Sequence, residues 1–512
     1  MNKKRMIINL FASLVSFGVS MGISFFLTPY LTEVLGTEAY GYIGLANNFV
    51  SYASIVTVAL NSMAGRFITI EIHRGNQQKA DEYFNSILLS NVFLSVVISL
   101  ISLIIILNIQ TLLKVSDRLV QDVQITFAVA FLNFVFTVVT AVFTVAPFAR
   151  NRLDVQSIRT ILGNLIKLIV TLGLIAFFTP KIYYISIGVL ACSVFMAGAD
   201  IFLTKKMLPE VKVNPRHFNF QAVKEVLSAG IWNSLNSLSY VLLMGLDLLL
   251  ANLFVGETAM GMLSIAKTIP TALQSLIVAI SGIFTPQFTI LYAKKQGKEL
   301  VSSVKYSIKV LSLIMTVPIA GLIIFGTDFY HLWLPGKTAA EIQTIQILSL
   351  MTLVPKLVSA YIDSLYAINT VTNHLKVPVL VNLGLGVANT VLVLILLKTT
   401  SLGVYGIAIA NAIMLFLKVV FFVPSYAASN LGQKLTIFYP AFFRAVISSV
   451  LIMVLFAFLG NFFVIDSWLD LILVALGCGV VGYLFNILIL LTRQERKEFF
   501  AKIKNKLHPS SS

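Results

Sequence analysis

Apolar stretches of about 20 residues recur along the whole chain, and a helix of that length crosses a hydrocarbon core of about 30 Å. A helix also satisfies its backbone polar groups internally, as a membrane interior demands. We predict fourteen spanning helices, near residues 6–30, 40–65, 83–108, 123–148, 157–178, 182–203, 226–253, 258–290, 303–326, 344–367, 376–397, 402–425, 440–460 and 467–491. The predicted fold class is an all-α integral membrane protein.

Composition supports this class and excludes others. The chain is 58% apolar and 11% charged, whereas soluble proteins carry about 25% charged residues. A formal charge of +16 is typical of basic cytoplasmic loops, so we expect no nucleic-acid partner. Cys192 and Cys478 lie within apolar runs and predict neither a disulfide nor a metal site. The basic segment Lys3-Lys4-Arg5 precedes a long apolar run, which we expect to be a retained helix rather than a signal peptide.

Basic residues are distributed unevenly between alternate loops. With the amino terminus inside, inward loops carry groups such as Lys294, Lys295 and Lys298. The outward loops hold only Lys114, Arg118, Lys181, Lys337 and Lys398. Cytoplasmic loops are enriched in Lys and Arg, and a miscounted helix would invert this alternation. We therefore predict that both termini lie in the cytoplasm.

The segment from Gly36 to Thr69 is repeated 220 residues later. Seven residues recur unchanged: Gly36, Ala39, Gly41, Ala46, Val58, Ala59 and Thr69 match Gly256, Ala259, Gly261, Ala266, Val278, Ala279 and Thr289. Six helices per half is an even number, so the halves enter the membrane in the same direction. We predict two parallel six-helix lobes around a central cavity, with two further helices at the carboxyl end. The domains are residues 1–220, which end in a basic connector, 221–432, and 433–512 with a basic tail.

Both copies carry a polar stripe at helical spacing. Asn47, Ser51, Ser54 and Asn61 in the first copy correspond to Lys267, Thr271, Gln274 and Ser281 in the second. The helix before the second copy contributes Asn233 and Asn236. We predict that these side chains line the cavity and bind substrate. The alternative is that they join helices by hydrogen bonds.

Charges within predicted spans are costly, at about 2.5–3.5 kcal/mol on insertion scales, and so mark candidate sites. The candidate binding residues are Arg66, Asp247, Lys267, Lys356 and Asp363. The seven-residue spacing of Lys356 and Asp363 puts them on one helix face. A structural ion pair there, an Asp247–Lys267 pair, and an inner-end basic anchor at Arg66 remain alternatives.

Two further lysines, Lys167 and Lys418, are expected to extend their ammonium groups to an interface. Enzyme signatures are weak. Pro335-Gly336-Lys337-Thr338 resembles the end of a phosphate-binding loop, but His331 occupies the position of the required first glycine. The five histidines lie in or next to loops at unrelated depths. We expect no catalytic residue, no metal and no cofactor.

The two stretches Leu35–Gly41 and Val255–Gly261, the latter following Asp247, carry a family resemblance. The chain resembles, over essentially its whole length, the Wzx-type flippases of the multidrug/oligosaccharidyl-lipid/polysaccharide (MOP) exporter superfamily. This implies a multi-pass bacterial plasma-membrane protein. Its substrate would be a polyprenyl-diphosphate-linked oligosaccharide, moved from the inner to the outer leaflet by alternating access. Lys267 and Arg66 would face the diphosphate.

Other functions remain open. A drug antiporter of the same superfamily would be coupled to Na⁺ or H⁺ and often uses a buried acid in its first lobe. Here the first helix has none, and Asp247 and Asp363 lie in the second half, with Asp200 near the inner end of the sixth helix. A flippase for lipid II or teichoic-acid precursors would differ only in head group. A membrane glycosyltransferase or O-antigen polymerase would need a large polar outer loop. Na⁺ or H⁺ coupling and association with polysaccharide polymerase machinery are open partner expectations.

Overall fold

The computed structural model describes residues 3–150 and 152–497, and all regular secondary structure in those residues is helical. Fourteen helical spans are long and apolar enough to cross a membrane. We number them α1 to α14 in chain order: Val15–Leu35, Thr37–His73, Gln77–Leu107, Asp117–Pro147, Asp154–Phe177, Tyr183–Met207, Phe220–Val255, Glu257–Ala293, Gly297–Ile324, Ala339–Val371, Lys376–Thr399, Val404–Asn430, Tyr439–Gly460 and Trp468–Leu490. The predicted fold class is confirmed.

Helix ends differ from the predicted ones by several residues, for example in α2. This helix continues to His73, well beyond residue 65. At its end the Arg74 backbone N–H donates to the Ile70 carbonyl, and the Gly75 backbone N–H donates to the Ile72 carbonyl. Hydropathy alone ends a span where polar residues begin, whereas the helix itself runs on.

The chain forms two compact units. The first contains the described residues up to Ile265 together with Val379–Ile407; the second contains Ala266–Pro378 and the described residues from Ala408 onward. Helix α11 therefore packs with the first unit, and α8 passes from the first unit into the second. These units are defined by packing. The predicted boundaries at residues 220 and 432, which rest on sequence repetition, remain a prediction.

The first unit is built on α2, which packs against α7 and α3. At one crossing Gly230 of α7 lies against the Ala59 backbone of α2, where a Cβ atom would clash. Small residues allow this close approach, which supplies van der Waals contact in a membrane protein. A buried cluster that includes Leu60, Phe84 and Val226 fills the space beside it.

The two repeated segments begin alike and meet each other in the first unit. Gly36 and Gly256 immediately precede α2 and α8, and both adopt positive φ, 91° and 144°. L-residues rarely adopt this conformation, so glycine is needed at both starts. A Cβ atom on Gly41 would lie 2.8 Å from the Cα atom of its counterpart Gly261. Two more pairs 220 residues apart are also in contact, namely Glu38 with Thr258 and Gly44 with Ser264.

The second unit is organised around α9, which packs against α10, α13 and α14. Phe325, Ile452, Phe456 and Val474 form part of its buried core. Hydroxyl groups also pair with each other between these helices. The Tyr361 hydroxyl is bonded to the Ser449 hydroxyl and accepts from the Thr316 hydroxyl at 3.2 Å.

Three spans contain irregular turns near ionisable residues. In α7, π-helical turns at Val241–Gly245 and Ala251–Val255 flank Asp247. In α12, a π-helical turn begins at Lys418. In α10, a 3₁₀ turn begins at Asp363. Such interruptions free backbone groups and often occur at functional sites.

Candidate functional site

Charged residues from three helices of the second unit lie together. Helix α8 contributes Lys267 and Gln274, α10 contributes Lys356 and Asp363, and α12 contributes Lys418. We call these five residues the lysine cluster. Lys267 and Gln274 are seven residues apart, and so are Lys356 and Asp363. Each pair therefore lies on one face of its helix, two turns apart.

Asp363 is the acceptor at the centre of the lysine cluster. Its Oδ2 atom accepts a hydrogen bond from Ser281 Oγ at 2.5 Å. It interacts electrostatically with Lys418 and Lys356. A carboxylate in a membrane span is tolerated when it is paired in this way.

Lys356 links α10 to α8. Its Nζ atom donates to Gln274 Oε1 at 3.4 Å. It is attracted to Asp363 and lies close enough to Lys267 for the two ammonium groups to repel each other. The structure thus brings Lys356 and Asp363 together, as their spacing predicts. Lys356 and Lys418 thus both interact with the one carboxylate of Asp363.

The expectation that Lys418 extends to an interface is wrong. Its Nζ atom lies 5.1 Å from the centre of the Tyr366 ring and interacts with Asp363. An aromatic face and a carboxylate both attract a cation. They hold this side chain inside the unit, where long stems usually carry the charge outward.

The polar stripe of the first copy takes part in neutral contacts. Asn61 and Asn91 donate to each other, at 3.1 and 2.9 Å, and Asn91 is fully buried. This is the helix-joining role that was the alternative to substrate binding. Asn47 is exposed, and its side chain forms no hydrogen bond with the described residues.

The remaining first-unit candidates differ in exposure. Asn233 is half-buried and donates to Ser62 Oγ at 3.0 Å. Asn236 is exposed and accepts from Asn382 Nδ2 at 3.4 Å. Arg66 is exposed and has neither a hydrogen bond nor an ion pair within residues 3–150 and 152–497.

Asp247 is buried in α7, with 4% of its surface exposed. Its Oδ1 atom accepts from the Leu248 backbone N–H at 2.8 Å. The preceding π-helical turn frees the Gly245 carbonyl, which accepts from Asn48 Nδ2 at 2.9 Å and from the Tyr52 hydroxyl at 2.6 Å. Tyr52 interacts electrostatically with Asp247. The site couples this acid to α2 within the first unit.

Another first-unit acid is neutralised by a cation. Asp200 of α6 forms a buried ion pair with Arg159 of α5. In the part of the chain that the structure describes, no three His, Cys, Asp or Glu side chains are grouped closely enough to hold a metal ion.

Several polar partners escape sequence reasoning. Asn91 and Asn382 pair with predicted residues, Tyr52 satisfies the π-helical turn, and Tyr366 faces Lys418. Each is a polar or aromatic residue inside an apolar run. That position is the available signal, but it does not identify the partner.

Comparison with solved structures identifies the class. A multidrug resistance MATE-family transporter of the MOP superfamily, solved in its inward-facing conformation, matches with a TM-score of 0.67 and 16% identity over 83% of this chain and 98% of that chain. The lipid II flippase MurJ, in an inward closed conformation, matches with a TM-score of 0.67 and 14% identity over 94% of this chain and 98% of that chain. The fold is that of the MOP-superfamily transporters and flippases.

Sequence comparison narrows this class to a family. The polysaccharide biosynthesis protein family matches residues 7–292. The Bacillus subtilis (strain 168) protein named uncharacterized membrane protein EpsK is 31% identical over 490 residues, which are 96% of this chain and 96% of that protein. The chain belongs to the polysaccharide biosynthesis protein family and is a multi-pass membrane protein. The resemblance to MOP exporters is confirmed.

Proposed function

We propose that this protein turns a polyprenyl-diphosphate-linked oligosaccharide from the inner to the outer leaflet of a bacterial plasma membrane. Such a molecule has a sugar head that needs hydrogen-bond partners, a diphosphate that needs cations, and a tail that stays in the bilayer. Membership of the polysaccharide biosynthesis protein family supports a cargo of this kind.

The observation that carries the proposal is the lysine cluster. Lys356 and Lys418 converge on the carboxylate of Asp363. Ammonium groups form strong charge-assisted hydrogen bonds to phosphate oxygens. An incoming diphosphate would bind these two ammonium groups, whereas a cationic drug would be repelled by them.

Exposed polar groups of the first unit are a separate set of candidates for sugar binding. Asn47 and Asn236 can exchange hydrogen bonds with sugar hydroxyls, and Arg66 supplies a second cation. The neutral Asn61–Asn91 pair would keep its helix-joining role. Recognition of an oligosaccharide in this way would depend on hydrogen bonds from many dispersed side chains.

The membrane potential is a sufficient energy source for this cargo. A cytosol-negative potential favours outward movement of an anion by about 2.3 kcal/mol per charge per 100 mV. The basic inward loops and the predicted cytoplasmic termini give the orientation of the protein in the membrane, and with it the direction of the potential across the protein. Polymerase machinery would then receive the flipped unit on the outer side.

A cation antiporter is the second candidate, favoured by the buried acid Asp247 and its link to Tyr52. In that case Asp247 would take up Na⁺ or H⁺. The paired state of Asp200 and the convergence of Lys356 and Lys418 on Asp363 weigh against this function.

The test is transport in liposomes that contain the full-length protein. A fluorescent polyprenyl-diphosphate oligosaccharide is added, and a potential is imposed with K⁺ and valinomycin. We expect protein-dependent transfer that rises with the potential. If a polyprenyl-linked lipid II or teichoic-acid precursor is transferred instead, the proposal keeps the flippase and changes only the head group of its substrate. No transfer of any of these, with Na⁺- or pH-driven efflux of a cationic dye, would replace the proposal with the antiporter.

A further inference from the structure

The connector between α6 and α7, residues 208–219, is held along the first turns of α3. Asn85 Nδ2 donates to the Lys212 carbonyl at 2.7 Å, and the Asn214 backbone N–H donates to Asn85 Oδ1 at 2.7 Å. Asn85 is buried, and buried polar side chains are normally hydrogen-bonded. Side chains of α3 therefore fix the backbone of the connector. Other hydrogen bonds along this contact join Gln77 to Glu210, Asp81 to Lys212, and Ser86 to Asn219.

The position of this contact along α3 places the connector at the level of the lipid head groups. The connector bonds to α3 between Gln77 and Ser86. The rest of α3, residues 87–107, is about 30 Å long at about 1.5 Å per residue. That length matches the thickness of a hydrocarbon core, so the first turns of α3 lie just outside the core. Because α6 ends at Met207 and α7 begins at Phe220, the connector is too short to leave the membrane surface.

Apolar side chains at the end of the connector point away from α3. Phe218 and Phe220 lie on either side of Asn219, whose backbone N–H and side chain both bond to α3. Phe218 and Asn219 have extended backbones, in which consecutive side chains point to opposite sides. Phe218 and Phe220 are accordingly 46% and 72% exposed, and Val213 is 58% exposed. Apolar side chains at this depth are stabilised when they enter the head-group region of a bilayer.

The charged side chains of the connector differ in exposure according to their sign. Lys212 and Arg216 are exposed, and neither side chain forms an ion pair with any residue that the structure describes. The acid Glu210, by contrast, is paired with Arg150 at 2.6 Å. Basic groups immediately beside a membrane span attract anionic lipid head groups. The exposed charge of the connector is therefore complementary to an anionic membrane surface. The flanking ends of α6 and α7 add three exposed lysines, Lys205, Lys206 and Lys224.

We propose that the connector binds anionic phospholipid, with Phe218 and Phe220 in the head-group region and Lys212 and Arg216 on the phosphates. Because α3 already fixes the connector, binding does not have to order it, and this ordering cost is avoided. The inference goes beyond the proposed function, since it concerns the lipid around the protein and not the cargo. Membrane orientation alone would require basic residues here, but neither the exposed aromatic neighbours nor a backbone fixed on α3.

The experiment uses the full-length protein in nanodiscs made from a fixed mixture of phosphatidylcholine and phosphatidylglycerol. A photoreactive benzophenone amino acid replaces Phe218 or, in a separate sample, Phe93, an exposed residue within the apolar part of α3. Mass spectrometry then identifies the captured lipid. At position 218 we expect phosphatidylglycerol to be enriched about tenfold over its share of the mixture. At position 93 capture should follow the composition of the mixture.

Two double variants test which charges produce the enrichment at position 218. Lys212→Gln with Arg216→Gln should abolish it, and enrichment that persists would refute the role of these side chains. Lys294→Gln with Lys298→Gln removes the same charge from exposed lysines of the second unit and should leave the enrichment unchanged.

Three results at position 218 would overturn the inference. Capture in proportion to the mixture would show that the connector does not select anionic lipid. Absence of captured lipid at position 218, beside normal capture at position 93, would show that the connector faces solvent and would favour a protein partner. Displacement of phosphatidylglycerol by a trace of polyprenyl diphosphate would assign the connector to the cargo instead.

Discussion

Helices α2 and α8 are two copies of one segment, and they differ in what their polar residues do. Both start after a glycine with positive φ and meet at equivalent residues. Beyond that point α2 runs unbroken to His73, whereas α8 contains Pro270 and a break between Gly282 and Thr285. Asn61 of α2 forms a neutral pair, but Gln274 of α8 belongs to the lysine cluster.

The difference teaches that the two copies kept the same start while the residues of the polar stripe diverged. Asn47 and Lys267 occupy the same position in the repeat, as do Asn61 and Ser281. Ser281 donates to the carboxylate Asp363, whereas Asn61 bonds to another amide. A glycine with positive φ begins both helices, whereas their polar stripes differ in residue type and in the contacts that they make.

The strongest test of this asymmetry compares two equivalent positions. Lys267→Ala should reduce flipping by one to two orders of magnitude, because a hydrogen bond to a charged group contributes about 1.5–3 kcal/mol. Asn47→Ala should reduce it less than about threefold, as a neutral bond contributes about 0.5 kcal/mol at the low end. Rates are measured in liposomes at matched protein content. Equal losses at the two positions would break the comparison.

The contact between the first turns of α2 and α8 is tested by substitutions that enlarge its glycines. Gly261→Ala places a methyl group against the Thr37 backbone, and Gly41→Ala places one against Gly261. Each overpacked contact should cost about 1–3 kcal/mol of stability. The midpoint of thermal unfolding in detergent measures this loss. Gly22→Ala in α1, which has open space around it, is the control and should not lower the midpoint.

Asp363 of α10, which accepts a hydrogen bond from Ser281 of α8, provides the next test. It competes with an incoming anion for Lys356 and Lys418, so Asp363→Asn should tighten diphosphate binding about tenfold, or about 1.4 kcal/mol. Turnover should fall, since release becomes slower. Equilibrium binding and flipping rate are measured on the same preparation. Weaker binding in this variant would show that Asp363 does not oppose the substrate.

The smallest effect is expected for the neutral pair of the first copy. A double-mutant cycle with Asn61→Ala and Asn91→Ala should give a coupling of about 0.6 kcal/mol, typical of hydrogen bonds between membrane helices. The readout is unfolding stability, with flipping nearly unchanged. A flipping loss as large as that of Lys267→Ala would assign Asn61 to the substrate path.

Sequence reasoning reaches the fold readily because hydropathy is a local property. Each span is encoded by its own residues, and all fourteen are present. The repeat was visible for the same reason, since Gly36 and Gly256 impose the same backbone requirement. Spacing along one helix also put Lys356 and Asp363 on one face.

Contacts between helices are a different matter. Nothing in α12 indicates that Lys418 faces Tyr366 of α10, or that Asn61 meets Asn91 rather than solvent. These pairings depend on how whole helices are rotated against each other, which single-helix periodicity does not specify. Sequence therefore indicates candidate polar residues but not the partner that each of them contacts.

The meeting of Gly41 with Gly261, and of the two residue pairs beside them, has the form of a homodimer interface held within one polypeptide. Contacts between identical positions mark a closed, two-fold association, in which the same patch serves both partners. In a half-length ancestor that dimerised through this patch, the same residue of the partner would lie opposite this glycine. A larger residue there would clash with its own copy. After fusion the constraint persists at both positions, although the two sequences around them are free to diverge.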